Sequence, residues 1–192
     1  MANLKVIRTF HPIGQGGFYS ERHNNFNIVY DCGAWPLNKF AKSVSATAFS
    51  KDEDIDILFI SHFDYDHISK IPTLRSSVRR IRAVVLPLLK TKHKNLLINI
   101  NRTLSHSVLK LIRNPATFFG PNTTIIYVES GEDQDLNNID SFEGGVEDLR
   151  ELTESNSKIK LINSGTSLVL RDVPNWAFSP YNHKHKDIVS LR

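Results

Sequence analysis

The sequence predicts an α/β sandwich, and three observations lead there. Strand-like segments open the chain, helix and strand patterns alternate through its middle, and short strands return near its end. That order favours a layered sandwich over a Rossmann sheet. Within it, residues 55–60 form a near-continuous apolar run of the length of a strand buried on both faces. The run ends at Ser61-His62-Phe63-Asp64-Tyr65-Asp66-His67, and a loop at a strand end is where a rigid scaffold presents reactive side chains. At 192 residues, one domain spanning residues 1–192 is expected.

Residues 4–10 alternate and are β-branched, and residues 27–30 repeat the pattern, so both read as strands. Gly14-Gln15-Gly16-Gly17 lies between them and supplies a bend or bulge near Phe18-Tyr19, which makes the start a β-meander. Tyr30-Asp31-Cys32-Gly33 closes the second strand with a glycine turn. Beyond the cluster, residues 68–77 read as a short helix that tolerates Pro72 in its first turn, followed by a strand at 81–86. Leu97, Leu104, Val108 and Leu111 recur at helical spacing, which predicts one helix from about Lys94 to Arg113, ending before Asn114-Pro115. Strands are expected at 124–128, 159–162, 167–170 and 176–178.

Composition narrows the function classes. An apolar fraction of 40% fits an ordinary globular protein, and no apolar stretch approaches the roughly 20 residues of a membrane span. No membrane partner is therefore expected. Met1–Lys5 has neither a basic nor an apolar leader pattern, so a cytoplasmic location is the expectation. Cys32 is the only cysteine, which rules out an internal disulfide and a cysteine metal knuckle, so any metal must sit on His, Asp or Glu. Charge is unevenly spread: residues 68–128 carry eleven Lys or Arg and no acid, whereas residues 129–154 carry ten carboxylates against Arg150 alone.

His62, Asp64, Asp66 and His67 place two imidazoles and two carboxylates within six residues. A lone His at a strand end is usually structural, but four such groups this close repel one another or need unusual pairing unless a cation holds them. On an extended segment His62, Asp64 and Asp66 point the same way, and His67 turns to the other side as a helix begins. That arrangement suits two adjacent metals.

The pattern His-x-Asp-x-Asp-His resembles the His-x-His-x-Asp-His motif of the metallo-β-lactamase superfamily, with Asp64 in place of its second His. In its Ser-His-x-Asp-x-Asp-His-Ile context it is similar to the hydrolase domain of ComEC-type competence DNA-uptake proteins and their free-standing relatives. Asp31-Cys32-Gly33 matches the family's early Asp-x-Gly, and residues 163–170 resemble its Asn-x-x-Ser-Leu-Val-Leu strand. The resemblance implies an αβ/βα sandwich, of which this chain is expected to be an N-terminal, incomplete portion. It implies His62 and Asp64 on one metal, Asp66 and His67 on the other, and a supporting role for Asp31. Asp66 would be the catalytic group that orients a water activated by two divalent cations. Two divalent ions, zinc or manganese with magnesium possible, are expected, and the extra carboxylate makes the site harder, which shifts the preference toward manganese or magnesium without excluding zinc.

The chain departs from the family in three places. Ser69-Lys70 replaces two glycines, which puts Lys70 close to the metals as an expected ligand for substrate phosphate. Residues 176–182 stand where the family has a Gly-Asp pair, and the closing His-His-Gly-Ser segment is absent. His183 and His185 are candidate replacements, weighed against a plain solvated tail. His93 and His106 are weaker candidates on the predicted helix, where a polar face is the simpler reading, and His11 and His23 sit on the early hairpin.

Arg75, Arg79, Arg80 and Arg82 are the densest part of the basic stretch, and Arg75 and Arg79 are expected to hold the phosphates of a substrate. The leading expectation is therefore a phosphodiesterase or nuclease acting on nucleic acid or another phosphate-bearing substrate. The alternatives are a hydrolase of a small ester, amide or thioester, and a catalytically incomplete binding or regulatory module. Aromatic residues are missing from the basic stretch until Phe118-Phe119, so recognition by base stacking is not expected.

Overall fold

The computed structural model describes residues 6–36, 38–102, 105–131, 145–154, 158–171 and 176–183. The chain opens with an antiparallel meander of β1 (Val6–Phe10), β2 (Tyr19–His23) and β3 (Phe26–Tyr30). A parallel series follows: β4 (Asp54–Phe59), β5 (Arg80–Pro87), β6 (Thr124–Val128) and β9 (Ile159–Ile162). Together they form a seven-stranded sheet ordered β1-β2-β3-β4-β5-β6-β9. Each parallel step goes to the same side, and the crossovers from β3 through β6, all of one hand, place their connecting helices on one face. Those helices are α1 (Lys39–Thr47), α2 (Tyr65–Ile68), α3 (Ile71–Ser77), α4 (Thr91–Ile100), α5 (His106–Arg113) and α6 (Pro115–Phe119).

The two faces hold separate cores. Leu58, Val84, Leu86 and Ile125 pack under Leu74, Val108, Leu111, Ile112 and Phe118 of the helical layer. Ile57, Phe59, Val85, Ile126 and Val128 point the other way and meet Leu149, Leu152, Leu168 and Leu170. That second layer consists of α7 (Leu149–Glu154) and a small sheet of β8 (Val146–Asp148), β10 (Ser167–Val169) and β11 (Ala177–Phe178). Because both faces are covered, every residue of β4 is buried, which is why it reads as a continuous apolar run interrupted only by Asp54 and Asp56.

Where the fold departs from expectation, a local cause is visible. The single helix expected over 94–113 is two helices. The Asn101 side-chain amide donates to Leu97 O at 2.8 Å and the residue leaves the helical region, so the side chain ends the turn that the backbone would have continued. Leu104, counted in that periodicity, lies outside the described residues, as do 132–144 of the acidic stretch and His185. The expected helix over 68–77 is α2 and α3, with Pro72 in the first turn of α3. α1 has no strong apolar period because it buries only Ala41 and Ser45; its start is fixed by Asn38 Oδ1, which accepts from Ala41 N–H at 2.6 Å.

Candidate metal centre

In a parallel sheet the strand C-termini share one edge, and ligand sites form there. On this edge the turn after β3 brings Asp31, the turn after β4 brings Ser61 to Asp64, and α2 carries Asp66 and His67. Asp31 sits at φ 51°, in the left-handed region that Asp tolerates better than most side chains. Its N–H donates to Phe59 O at 2.8 Å, which ties it to the end of β4. Its carboxylate is buried and accepts three hydrogen bonds. Oδ1 takes Ser61 N–H at 2.8 Å, while Oδ2 takes the Ser61 hydroxyl at 2.6 Å and His67 Nδ1–H at 2.9 Å.

Glycines allow the loops to close on the cluster. Cys32 N–H donates to His67 O at 2.8 Å, and Gly17 N–H to Asp66 O at 3.1 Å. A Cβ on Gly33 would stand 2.5 Å from the carbonyl carbons of both Asp66 and His67, and one on Gly17 would stand 2.7 Å from His67 Nδ1. The early glycine run therefore serves as a floor against which the Asp66-His67 backbone rests, beyond the simple bend read from its composition.

The hydrogen bonds fix the tautomers. A carboxylate oxygen can only accept, so His67 carries its proton on Nδ1. The single Ser61 hydroxyl proton goes to Asp31, so Ser61 Oγ accepts from His62 Nδ1–H at 2.8 Å. In neutral imidazoles held this way, both Nε2 atoms present lone pairs. His62 Nε2 faces Asp64 Oδ2 at 3.5 Å, and His67 Nε2 faces Asp66 Oδ2 at 3.8 Å. With the imidazoles in that neutral form, each pair would be two acceptors with no proton between them, which is the donor chemistry a divalent cation satisfies. A cation about 2.1 Å from each atom spans 3.5 Å at a roughly tetrahedral angle; 3.8 Å needs a wider one. Among the described residues no group of three His, Cys, Asp or Glu side chains is arranged to hold a metal ion, so the fit is one of paired ligands with the remaining positions open. Burial pushes the Cys32 thiol up to about 12, which keeps it protonated and out of the ligand set.

The expectation that His67 turns away from His62 is corrected: their ring centroids lie 4.0 Å apart. The helix begins at Tyr65, so Asp64 and His67 are one turn apart, His67 N–H donates to Asp64 O at 3.0 Å, and strand alternation stops at the cap. Asp64 is the most exposed of the four side chains and Asp66 is three-quarters buried.

Two cavities adjoin the cluster. The first, about 340 Å³, is lined by His62, Asp64, Lys90, His93 and His183, so it brings two of the weaker histidine candidates to the same space as the first ligand pair. His183 arrives there because β12 (Asn182–His183) pairs with β7 (Ser130–Gly131). The second, about 290 Å³, is apolar, with Tyr30, Phe59, Val85, Val128 and Phe178 in its wall. Tyr30 and Phe59 stack within it at 5.1 Å and 12°. Both cavities share Ser61, Pro87, Tyr181 and Asn182.

Three expected substrate contacts are corrected. Lys70 is 6% exposed at the start of α3, its N–H bonds Cys32 O, and burial together with Lys42 lowers its pKa; it is packed inside and does not present a cation to a substrate. Arg79 binds Asp54 Oδ1 at 2.6 Å at the N-terminal end of β4, and Arg75 binds Phe119 O at 3.2 Å. Ser61 lies seven positions after Asp54 along β4 and the residue that follows it, roughly 20 Å of extended chain. Arg75 and Arg79 therefore lie at the end of the sheet opposite the cluster, because α3 runs the chain back before β5 begins. His11 is bonded to Ser20 and stacked on Phe18, and His23 is buried against Glu21, so neither reaches the cluster. Ser61, given no role from sequence, is the bridge between Asp31 and His62; its position directly before the first His is the signal for it.

Residues 19–152 match the family model described as the metallo-beta-lactamase superfamily. No curated protein matches the chain at a significant level.

Proposed function

The chain belongs to the metallo-β-lactamase superfamily, whose members are generally hydrolytic metalloenzymes, and on that footing we propose that it hydrolyses a small ester, amide or thioester carrying an apolar group. The observation that supports this reading is the pairing of cavities: the one beside His62 and Asp64 shares a wall with an apolar one of similar size. His62 and Asp64 would hold one divalent cation and Asp66 and His67 the other, a donor set that suits zinc or manganese. When bound, the metals supply Lewis acidity and a water activated at neutral pH. Asp31 keeps both Nε2 lone pairs aimed at the site, directly at His67 and through Ser61 at His62. Asp66 would orient the nucleophile, with Oδ1 left to take its proton because Oδ2 is the oxygen that faces His67 Nε2. Tyr30, Phe59 and Phe178 hold the apolar part of the substrate and exclude water from that side.

A second reading, a phosphodiesterase acting on nucleic acid, draws on the His-x-Asp-x-Asp-His variant and its likeness to ComEC-type hydrolases. It loses the grip expected from Arg75 and Arg79 and retains Lys90. The test is metal-free protein reloaded with Zn²⁺ or Mn²⁺ and offered acyl esters and thioesters of graded chain length, a model phosphodiester and single-stranded DNA. Expected results are acyl hydrolysis that rises with chain length, loss of that rise in Phe178→Ala, and a fall of about a hundredfold or more in Asp66→Ala. Preferential cleavage of the phosphodiester or DNA would establish the second reading. Retained metal with no turnover of any substrate would leave a binding module.

A further inference from the structure

We propose that the cavity between α3, the start of β5 and the segment before β6 is a binding site for a phosphate group, separate from the metal centre. This cavity, of about 390 Å³, is lined by Pro72, Arg75, Ser76, Arg79, Arg80 and Thr123 among others, with three guanidinium groups and no carboxylate in its wall. It sits at the N-terminal ends of the parallel strands, where Asp54 of β4 pairs in register with Arg80 of β5.

Behind it stand two carboxylates, Asp54 and Asp56, against the guanidinium groups of Arg75, Arg79, Arg80 and Arg82, and Arg82 contacts both carboxylates. Asp54 alone receives Arg79 Nε at 2.6 Å, Arg80 Nε at 2.9 Å and Arg82 Nη2 at 2.7 Å. Arg79 and Arg80 each spend Nε on this contact. Their terminal Nη groups have no partner among the described residues, and both side chains are about half exposed. Arg75 is set by two different contacts: Nη2 donates to Phe119 O at 3.2 Å, and the guanidinium lies over the Phe118 ring at 5.2 Å. All three forks are thus anchored at one end and carry donors at the other. The hydroxyls nearby are committed, Ser76 Oγ to Thr73 O and Thr123 Oγ1 to Ile81 O, so the side-chain donors in the wall are the guanidinium groups and the Asn122 amide. Planar, anchored guanidinium forks match the oxygens of a tetrahedral dianion, and anchoring lowers the ordering cost of binding it.

The ligand is a phosphate group, whether free or terminal on a small molecule. The full-length protein is titrated calorimetrically with inorganic phosphate and with a nucleoside monophosphate, at low and moderate ionic strength. One saturable site that weakens with salt is expected, and tighter binding of the monophosphate would identify a nucleotide as the source of the group. Arg75→Gln should weaken binding at least tenfold. Asn122→Asp, which adds a carboxylate to the cavity wall without touching the Asp54 network, should do the same while leaving the thermal midpoint unchanged. His62→Ala should have no effect. Three results would overturn the proposal: no saturable binding of either probe, binding indifferent to both cavity variants, or binding lost in His62→Ala. Affinity seen only for oligonucleotides and rising with their length would also overturn it, since that marks a diffuse charged face.

Discussion

Asp31→Asn keeps the shape of the side chain and, because Asn tolerates the left-handed region as Asp does, keeps the backbone at φ 51°. What changes is one oxygen. Oδ1 still accepts Ser61 N–H, but the atom that received the Ser61 hydroxyl and His67 Nδ1–H becomes an amide donor facing two donors. Ser61 can rotate its proton; His67 can relieve the clash only by moving its proton to Nε2. The lone pair aimed at Asp66 is then gone. Loss of a carboxylate behind a ligating imidazole typically weakens metal binding 10- to 100-fold, which is about 1.4–2.8 kcal/mol. In the metal-free protein the lost charged hydrogen bonds should lower folding stability by about 1.5–3 kcal/mol, and Asp31→Ala should lose roughly 1 kcal/mol more because Ala resists positive φ. Calorimetric titration with Zn²⁺ or Mn²⁺ reads the affinity, and long-range ¹H–¹⁵N spectra of the imidazoles read the tautomer. Metal affinity within threefold of wild type, with His67 still protonated on Nδ1, would refute the assignment of Asp31 as the positioning group.

Gly33→Ala puts a methyl 2.5 Å from backbone atoms of Asp66 and His67 that have no room to retreat, so a loss of about 1–3 kcal/mol or more is expected in urea denaturation; an unchanged midpoint would mean that the loops do not meet as described. Leu152→Ala, at 1% exposure, should cost about 2–5 kcal/mol, and a neutral result would detach α7 from the second face of the sheet. Asp54 gives a pH dependence. Burial pushes its carboxyl up, but the Arg79 and Arg80 hydrogen bonds and the Arg82 charge outweigh this and hold it well below the usual carboxylate range. With the folded value below the unfolded one of about 3.9, the unfolded chain takes up the proton first. This contribution is therefore complete above about pH 5 and is lost as pH falls below 4. Asp54→Asn should be less stable at pH 7 and lose less on going to pH 3.5; parallel curves for the two proteins would contradict it.

Strands and the reactive run were legible because their signals are local. β6 falls at the residues expected, since a strand buried on both faces must be apolar throughout, and β9 falls there through its β-branched content although, as the edge of the sheet, it leaves Ile159 and Leu161 exposed. The spacing of His62, Asp64, Asp66 and His67 carries its own chemistry for the same reason. What escaped was set by contacts distant in sequence. α7 shows only Leu149 and Leu152 as an apolar signal, and it lies at the end of a stretch dominated by acids. Lys70 looked available because it follows the cluster, yet three residues after His67 the chain has already entered the helical layer. Arg75 and Arg79 are close to the cluster in sequence and far from it in space, because a helix that reverses direction converts a short sequence separation into the length of a strand.

Asp31 Oδ2 receives both the Ser61 hydroxyl and His67 Nδ1–H, so one oxygen atom stands behind both imidazoles. Hydrogen bonds that converge on one atom polarise each other. Drawing electron density from His67 Nε2 strengthens the pull of its Nδ1–H on the shared oxygen directly, and drawing it from His62 Nε2 acts on the same oxygen through the Ser61 hydroxyl, so each changes what that oxygen offers the other ring. The two ligand pairs are therefore not independent instruments. Their loading should be read as a single cooperative event, and the effects of altering His62 and His67 should fail to add.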